Sequence, residues 1–579
     1  MVDCIRLIVF EMILLSSAYL LASLLSDKLR IPLTFIFSVV VLYQVVFLFQ
    51  IFSIPITLIS LNAAFILLAV LLFIVAKKQK VDLKTSLKLP GIDNKLIGPI
   101  LIIAGIALLY KLYLFPTAGF DTVFRWEFLA KQIITETNFS FYPASDNFTK
   151  YFYTDSMPVL VHSTYLYAYL SSGSQNPLFT MLNVIFQLIA IGMIIFAIVH
   201  RDQDDANKAW IAVLFCMGSG VLVWGTAMNQ ETGYTALSIA AILYFALAEK
   251  ISCKSIIILA IVSSLGGLAR EYGLAFILFT GLVLIVRKVS MKQLMVFITV
   301  SFVLTAPWYI RTWYLTQNPF YNINLFSIFP LNDVQAKLMG ILADNVKYNS
   351  MGTVSRIIYG AGDKFVLLLI LLVLALAKAR KRDLLIYLAV LMMSALWFIS
   401  LFSTYMTDYS LRVLTPLCPL IIVLFFRQSH NEKFIKFLVP IAACLALYNA
   451  FIFPQNIEVL TRPGFSQSFK KFERRSQFQA LFQWKKELTI LTENPFIFSE
   501  SQEYANINVV PVWDPRLKSL FLGDVDKPIH KLEECGINAI MLFKDSYFNV
   551  IYNKGIFLEM RNWEIILETD RWVLYGLPD

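Results

Sequence analysis

Charge is scarce in this chain. Asp, Glu, Lys and Arg make up 15% of its 579 residues, against roughly 25% in an ordinary soluble domain. With 58% hydrophobic residues and a mean hydropathy of +0.68, that scarcity excludes a soluble globular class and indicates a polytopic membrane protein. Histidine is rarer still, with four residues, and the six cysteines (Cys4, Cys216, Cys253, Cys418, Cys444, Cys535) show no paired spacing. Neither a disulfide framework nor a zinc site is indicated. There is no internal repeat and no low-complexity tract. The first apolar stretch, about residues 5–25, lacks a basic leader and a small-residue cleavage site, so it reads as a retained span instead of a signal peptide. The net charge of +10 is not gathered on one face, as nucleic-acid binding requires; Lys and Arg sit in short clusters between apolar runs, where they mark membrane topology.

What the chain does have is long apolar runs. A spanning helix needs about 20 such residues, because each rises about 1.5 Å across a core about 30 Å thick. Candidate windows lie near 5–25, 32–53, 55–76, 97–115, 177–199, 209–226, 233–249, 254–269, 272–287, 292–310, 363–379, 384–403, 412–427 and 434–453. The basic clusters at 77–95, 200–208, 249–254, 286–292, 378–383 and 427–436 fall on every second loop, which makes those loops cytoplasmic. The stretches 116–176, 227–232, 270–271, 311–362, 404–411 and everything after about Pro454 then face outward. The segment "MPVLVHSTYLYAYLSS" (157–172) is read as a re-entrant or interfacial helix, since a span there would invert every later loop.

After about residue 454 the apolar runs shrink to "PFIFS", "NVVPVW", "NAIMLF" and "EIILE" between charged segments, which suggests short strands alternating with helices. The expected fold class is therefore an all-α polytopic membrane protein of about 14 transmembrane helices with a small C-terminal extracytoplasmic α/β domain. Its parts are an N-terminal transmembrane region of unassigned role (1–96), a transmembrane module (97–453) with outer loop 116–176, and the domain 454–579.

The stretch "GFDTVFRWEFLAKQII" (119–134) interrupts the apolar pattern with Asp121, Arg125 and Trp126. On a helix, Leu129, Thr122, Ile133, Trp126, Ala130 and Val123 share one arc while Asp121, Gln132 and Arg125 form a narrow stripe, as in an interfacial amphipathic helix. Two explanations stay open for Asp121: a first-turn carboxylate favoured by the helix dipole with Arg125 as its i,i+4 partner, or a carboxylate placed for chemistry.

"GFDTVFRW" after an outward-going span, followed by "YTDSMPVLVHSTYLYAYL", "GGLAREYGLAFILF" (266–279) and "PWYIRTWYLTQNPFY" (307–321), resembles the C-type integral membrane glycosyltransferases, which include protein O-mannosyltransferases and lipid A aminoarabinose transferases. The resemblance covers most of the chain after Tyr110. It implies an extracytoplasmic sugar transfer from a polyprenyl-phosphate donor to a lipid, glycan or protein acceptor, at the plasma membrane, with Asp121 as catalytic base. It departs from the family at "TDSMP", where many relatives carry a His or Lys with paired prolines, and in the three spans that precede the catalytic one.

The reaction asks for cations or a metal facing the departing phosphate. Arg125, Lys150, Arg270, Arg311 and Arg412 all fall at outward faces, and arginine's planar fork suits phosphate. Each also has a plain structural explanation. Arg311 fits an anchor within an aromatic belt of Trp308, Tyr309 and Trp313; Arg270 and Glu271 fit an ion-paired turn, although charges interrupting 34 nearly apolar residues tend to be functional. Glu231 fits either an acceptor or metal contact or a solvated loop end, and Asp155 either a second carboxylate of the site or the N-cap of helix 157–172. His162 reads as packed. Asp408, Tyr409 and Arg412 fit either a donor contact or a local ion pair. No Asp-x-Asp pair occurs in the first loop, so the expectation is no cofactor, with a divalent cation left open. The competing functions are a transporter or flippase of lipid-linked glycans, which would place ionisable residues along its spans, and a polymerase or ligase with its working residues in a late loop.

Overall fold

The structure, a computed structural model, describes residues 2–578 apart from 27, 84–95, 115–121, 145–147, 322, 325–326, 339, 341–352, 378–379, 381–382, 405–410, 429–431, 453–477, 503, 524–527, 545–551, 553–556 and 558–559. Asp121, Asp408 and Tyr409 lie outside the described residues.

A bilayer core supplies no water to unpaired backbone groups, so long apolar runs satisfy theirs internally as helices. Every apolar window read from the sequence falls on one or two. They are α1 (Val2–Leu25), α2 (Arg30–Ile51), α3 (Leu58–Lys78), α4 (Ile97–Leu114), α7 (Met181–Gln203), α8 (Ala206–Gly218) with α9 (Gly220–Ala227), α10 (Glu231–Ala246), α11 (Cys253–Ala269), α12 (Leu274–Val286), α13 (Met291–Thr316), and the helices Thr353–Leu376, Leu384–Thr404, Leu417–Gln428 and Glu432–Ile452. Between α4 and α7 lie two further helices, α5 (Trp126–Glu136) and α6 (Leu160–Ser172). Hydroxyls and carboxylates mark many starts: Thr57 and Ser60 form a reciprocal capping box, as do Ser290 and Gln293, and Asp205 caps α8 through the Lys208 amide (3.1 Å).

The expected count of about 14 spans is not what helix length and composition support. Among the described residues eight helices are long and apolar enough to cross a membrane, or nine if α8 and α9, bent by 62° at Ser219, act as one. Cys253–Ala269, Glu271–Val286, Lys364–Leu376 and Leu384–Ile399 are apolar but shorter.

The two sets of loops separate to opposite ends. At one end Arg427 bonds Asp383 (2.8 Å) and Asp202, Gln203 donates to the Phe426 carbonyl (2.9 Å), and Arg201 to the Tyr244 carbonyl (2.8 Å). Nearby basic loops join in the same way, with Arg287 donating to the Glu249 carbonyl at 2.9 Å. At the other end the segment 122–172 meets the turns at 228–231 and 270–271, the end of α13, and the C-terminal domain. The N-terminal helices reach that end too: the Ile56 amide donates to the Thr137 carbonyl (2.9 Å), and Tyr167 of α6 donates to Asn62 of α3 (3.0 Å) and to the Phe10 carbonyl of α1 (2.7 Å). The α6 helix is buried along its length and is not among the candidate spans, in keeping with a re-entrant or interfacial helix.

The C-terminal domain is a five-stranded mixed sheet in the order β2-β1-β3-β5-β4, formed by β1 (Leu488–Thr492), β2 (Ile507–Pro511), β3 (Ala539–Phe543), β4 (Ile565–Glu568) and β5 (Trp572–Gly576). β1 pairs in parallel with β2 and β3, while β5 is antiparallel to β3 and β4. Three of the four expected strand segments are strands. The fourth, "PFIFS", is helical (Pro495–Ser501), because Asn494 accepts from the Phe496 amide (2.9 Å) and Pro495 fits a first helical position.

Candidate active site

The α5 helix begins later than the 121–134 expected from periodicity. Residues 122–125 form a tight turn, Arg125 is the N-cap with φ −116° and ψ −77°, and helix runs from Trp126. Arg125 reaches across the loop: its Nε lies 2.9 Å from Asp155 Oδ2, and its guanidinium carbon sits 4.3 Å over the Tyr153 ring. The apolar arc of α5 does face inward, with Trp126, Leu129, Ala130 and Ile133 buried.

Asp155 is not a helix cap. The N-cap of α6 is Val159, with no side-chain bond. The carboxylate of Asp155 is occupied by Arg125 on one oxygen and on the other by the hydroxyls of Tyr142 (3.2 Å) and Tyr151 (3.4 Å). Burial, and then the adjacent Asp155 charge, raises both tyrosines well above their ordinary pKa, so they stay neutral donors to it.

Thr122, next in chain to Asp121, is buried; its hydroxyl donates to the Met228 carbonyl (3.1 Å) and accepts from Gln230 Nε2 (2.9 Å). The Gln230 carbonyl oxygen in turn accepts from Arg412, which lies 3.6 Å from Glu231. Glu231 begins α10 and is 1% exposed, so it is no solvated loop end. Arg270 pairs with Glu271 at 3.0 Å and touches Met157. It feels the charges of Glu231, Arg412 and Arg125, while Glu271 feels those of Asp155 and Glu231. Burial raises the pKa of Glu271. Three arginines and three carboxylates thus form one electrostatically coupled cluster.

Two expected members stand apart. Lys150 is half-exposed and pairs with Glu136 at 2.5 Å. Arg311 lies 5.2 Å over Phe139 and 5.5 Å over Trp308, donating to the Phe139 carbonyl (3.3 Å), as the aromatic-belt anchor would. His162 is fully buried, its ring 4.8 Å from Trp126 and 5.9 Å from Tyr142, and burial pushes its pKa down to about 3. Among the described residues no group of three His, Cys, Asp or Glu converges as a metal site.

Thr122, Gln230, Tyr142, Tyr151 and Tyr153 escaped the sequence reading. The signal for Gln230 was present: "MNQET" is a polar run inside an apolar chain, and its Asn229, Gln230 and Glu231 are all buried. Tyrosines in an aromatic-rich loop carry no comparable mark.

The fold is similar to that of a C-type integral membrane glycosyltransferase, ArnT from Cupriavidus metallidurans bound to undecaprenyl phosphate, which aligns with TM-score 0.51 and 10% identity, over 84% of this chain and 98% of that one. The same ArnT in the apo state aligns with TM-score 0.47 and 11% identity over 83% and 98%, and the archaeal oligosaccharyltransferase AglB from Archaeoglobus fulgidus, in complex with an inhibitory peptide and a dolichol-phosphate, with 0.42 and 12% over 80% and 72%. No protein-family model matches the chain, and no curated protein does. At such identities the likeness is one of fold.

Proposed function

We propose that this protein is a membrane glycosyltransferase that moves a sugar from a polyprenyl-phosphate carrier to an acceptor hydroxyl on the extracytoplasmic side of the plasma membrane. The observation that carries the proposal is the convergence of Arg125, Arg270 and Arg412 with Asp155, Glu231 and Glu271 beside the segment that starts at Thr122.

In this scheme Asp121 accepts the acceptor's hydroxyl proton as that oxygen attacks the anomeric carbon. The bond from the anomeric carbon to the phosphate oxygen breaks, and the lipid phosphate leaves with the electron pair. The developing negative charge faces guanidinium groups already fixed by their carboxylates, so little reorganisation is needed as it forms. The guanidinium groups of Arg125, Arg270 and Arg412 are the ones assigned to the phosphate. Glu231, next to Gln230, is assigned to the acceptor side. Lys150 and Arg311, each engaged with other partners, are given no part in this scheme. The outward placement follows from the alternation of basic loops, which puts the cluster opposite the cytoplasmic set, and assigns the helices to as many as 14 spans.

The test is transfer from radiolabelled polyprenyl-phosphate sugars by the purified protein in lipid. Asp121→Asn is expected to lower the rate by about 10²- to 10⁴-fold, the usual worth of a positioned general base. An undiminished variant places the base elsewhere; a wild-type protein that transfers no sugar overturns the enzyme proposal in favour of a transporter or scaffold.

A further inference from the structure

The C-terminal domain meets the rest of the protein along one edge. Its three mutually parallel strands run toward the outer loop: β1 leads into the segment bearing Phe496, and β2 leads directly into Trp513. Carboxyl ends of parallel strands are where α/β sheets usually place function. Here that edge is filled by Trp513, whose indole N–H donates to the Phe152 carbonyl (2.8 Å) and whose own carbonyl accepts from Asn332 (2.8 Å). The indole is 4% exposed and stacks on Tyr153, with centroids 5.6 Å apart and planes at 28°. Phe124, itself T-shaped against Phe496 at 5.1 Å, also stacks on Tyr153 at 5.3 Å. Tyr153 in turn carries the Arg125 guanidinium 4.3 Å above its ring.

We propose that Trp513 is a positioning residue: it fixes the Tyr153 ring that holds the Arg125 guanidinium, so that the C-terminal domain sets the orientation of a donor-phosphate arginine through that ring. The physical chain is short. A ring gripped by the indole and Phe124 cannot swing, and a fixed ring holds the cation by its quadrupole, in addition to its pair with Asp155. Without the indole, the ring under the cation loosens. Aromatic character at position 513, and not bulk alone, is what the stack requires.

The inference rests on the proposed donor role of Arg125, and the test separates the two. Undecaprenyl phosphate is titrated into wild type, Trp513→Leu, Trp513→Phe, Arg125→Ala and the double variant Trp513→Leu/Arg125→Ala, with retained lipid read by native mass spectrometry, alongside hydrogen exchange over residues 150–156. Trp513→Leu is expected to weaken lipid-phosphate binding about five- to thirty-fold, the factor that one cation–π platform is worth, with Trp513→Phe close to wild type. The double variant is expected to be no weaker than Arg125→Ala, because the two residues act through one contact, and exchange over 150–156 rises in Trp513→Leu alone of the two Trp513 variants. Additive losses, or Trp513→Leu and Trp513→Phe equally impaired, overturn the positioning role. If the wild type retains no undecaprenyl phosphate, the donor proposal fails, and unchanged exchange over 150–156 in Trp513→Leu then overturns the positioning role separately.

Discussion

Arg125 and Asp155 meet at 2.9 Å across the outer loop, each about one-fifth exposed, with Tyr142 and Tyr151 bonded to the same carboxylate. This contact ties the start of α5 to the approach of α6 and orients one guanidinium of the charge cluster. Removing the carboxylate takes this counter-charge from the cation and an acceptor from both hydroxyls. Asp155→Ala is therefore expected to lower stability by about 1–3 kcal/mol, and Asp155→Asn, which keeps an acceptor oxygen, by less. Thermal melts of the purified protein check this; equal melting of Asp155→Ala and wild type refutes it.

Glu231 is the most deeply buried acid of the cluster, 1% exposed beside a 9% exposed Arg412. Arg412→Met strands that carboxylate without its counter-charge, at a cost of about 3–5 kcal/mol. The compensated pair Arg412→Met/Glu231→Gln is expected to recover most of the loss, because no uncompensated charge remains. A double variant as unstable as Arg412→Met would show that the arginine's packing matters more than its charge.

His162 makes stability depend on pH. Burial lowers its pKa from 6.5 to about 3 in the folded protein, so below about pH 6.5 the unfolded chain takes up a proton that the folded one refuses. The stabilisation is complete above pH 6.5 and declines by up to about 1.4 kcal/mol per unit as pH falls toward 3. Melting temperatures at pH 7.5 and 5.5 are expected to diverge in the wild type and to converge in His162→Gln. Parallel profiles for the two proteins would assign the acid sensitivity to another group.

The turn bearing Arg270 and Glu271 depends on Gly273. A β-carbon there would overlap the Gly266 carbonyl at the end of α11, which is backbone and cannot step aside. Gly273→Ala is expected to destabilise by about 1–3 kcal/mol and to displace Arg270, lowering sugar transfer more than Gly105→Ala, where a β-carbon meets nothing within 4 Å. Indistinguishable melts for the two variants would contradict the close packing of this turn.

Much of the framework was legible because a bilayer imposes rules that act along the chain. Apolar runs become helices, so the windows found from composition fall on helices, and the turns at 228–231 and 270–271 meet the segment 122–172. The short strands of the C-terminal domain followed from run length, except where Asn494 and Pro495 turned "PFIFS" into a helix. The number of spanning helices is not confirmed, since run length does not tell a short buried helix from a crossing one.

Sequence alone determined the membrane class, the alternation of loops and the identity of the charged residues available to a site. It did not determine how those charges pair. No spacing in the sequence points Arg125 to Asp155, yet the folded chain brings them together; Arg412 finds Gln230 and Glu231, while Lys150 and Arg311 turn to other neighbours. The physical reason is that a helix period governs only contacts within one turn or two, whereas buried charges take whichever opposite charge or oxygen the packing of separate loops brings within about 3–4 Å.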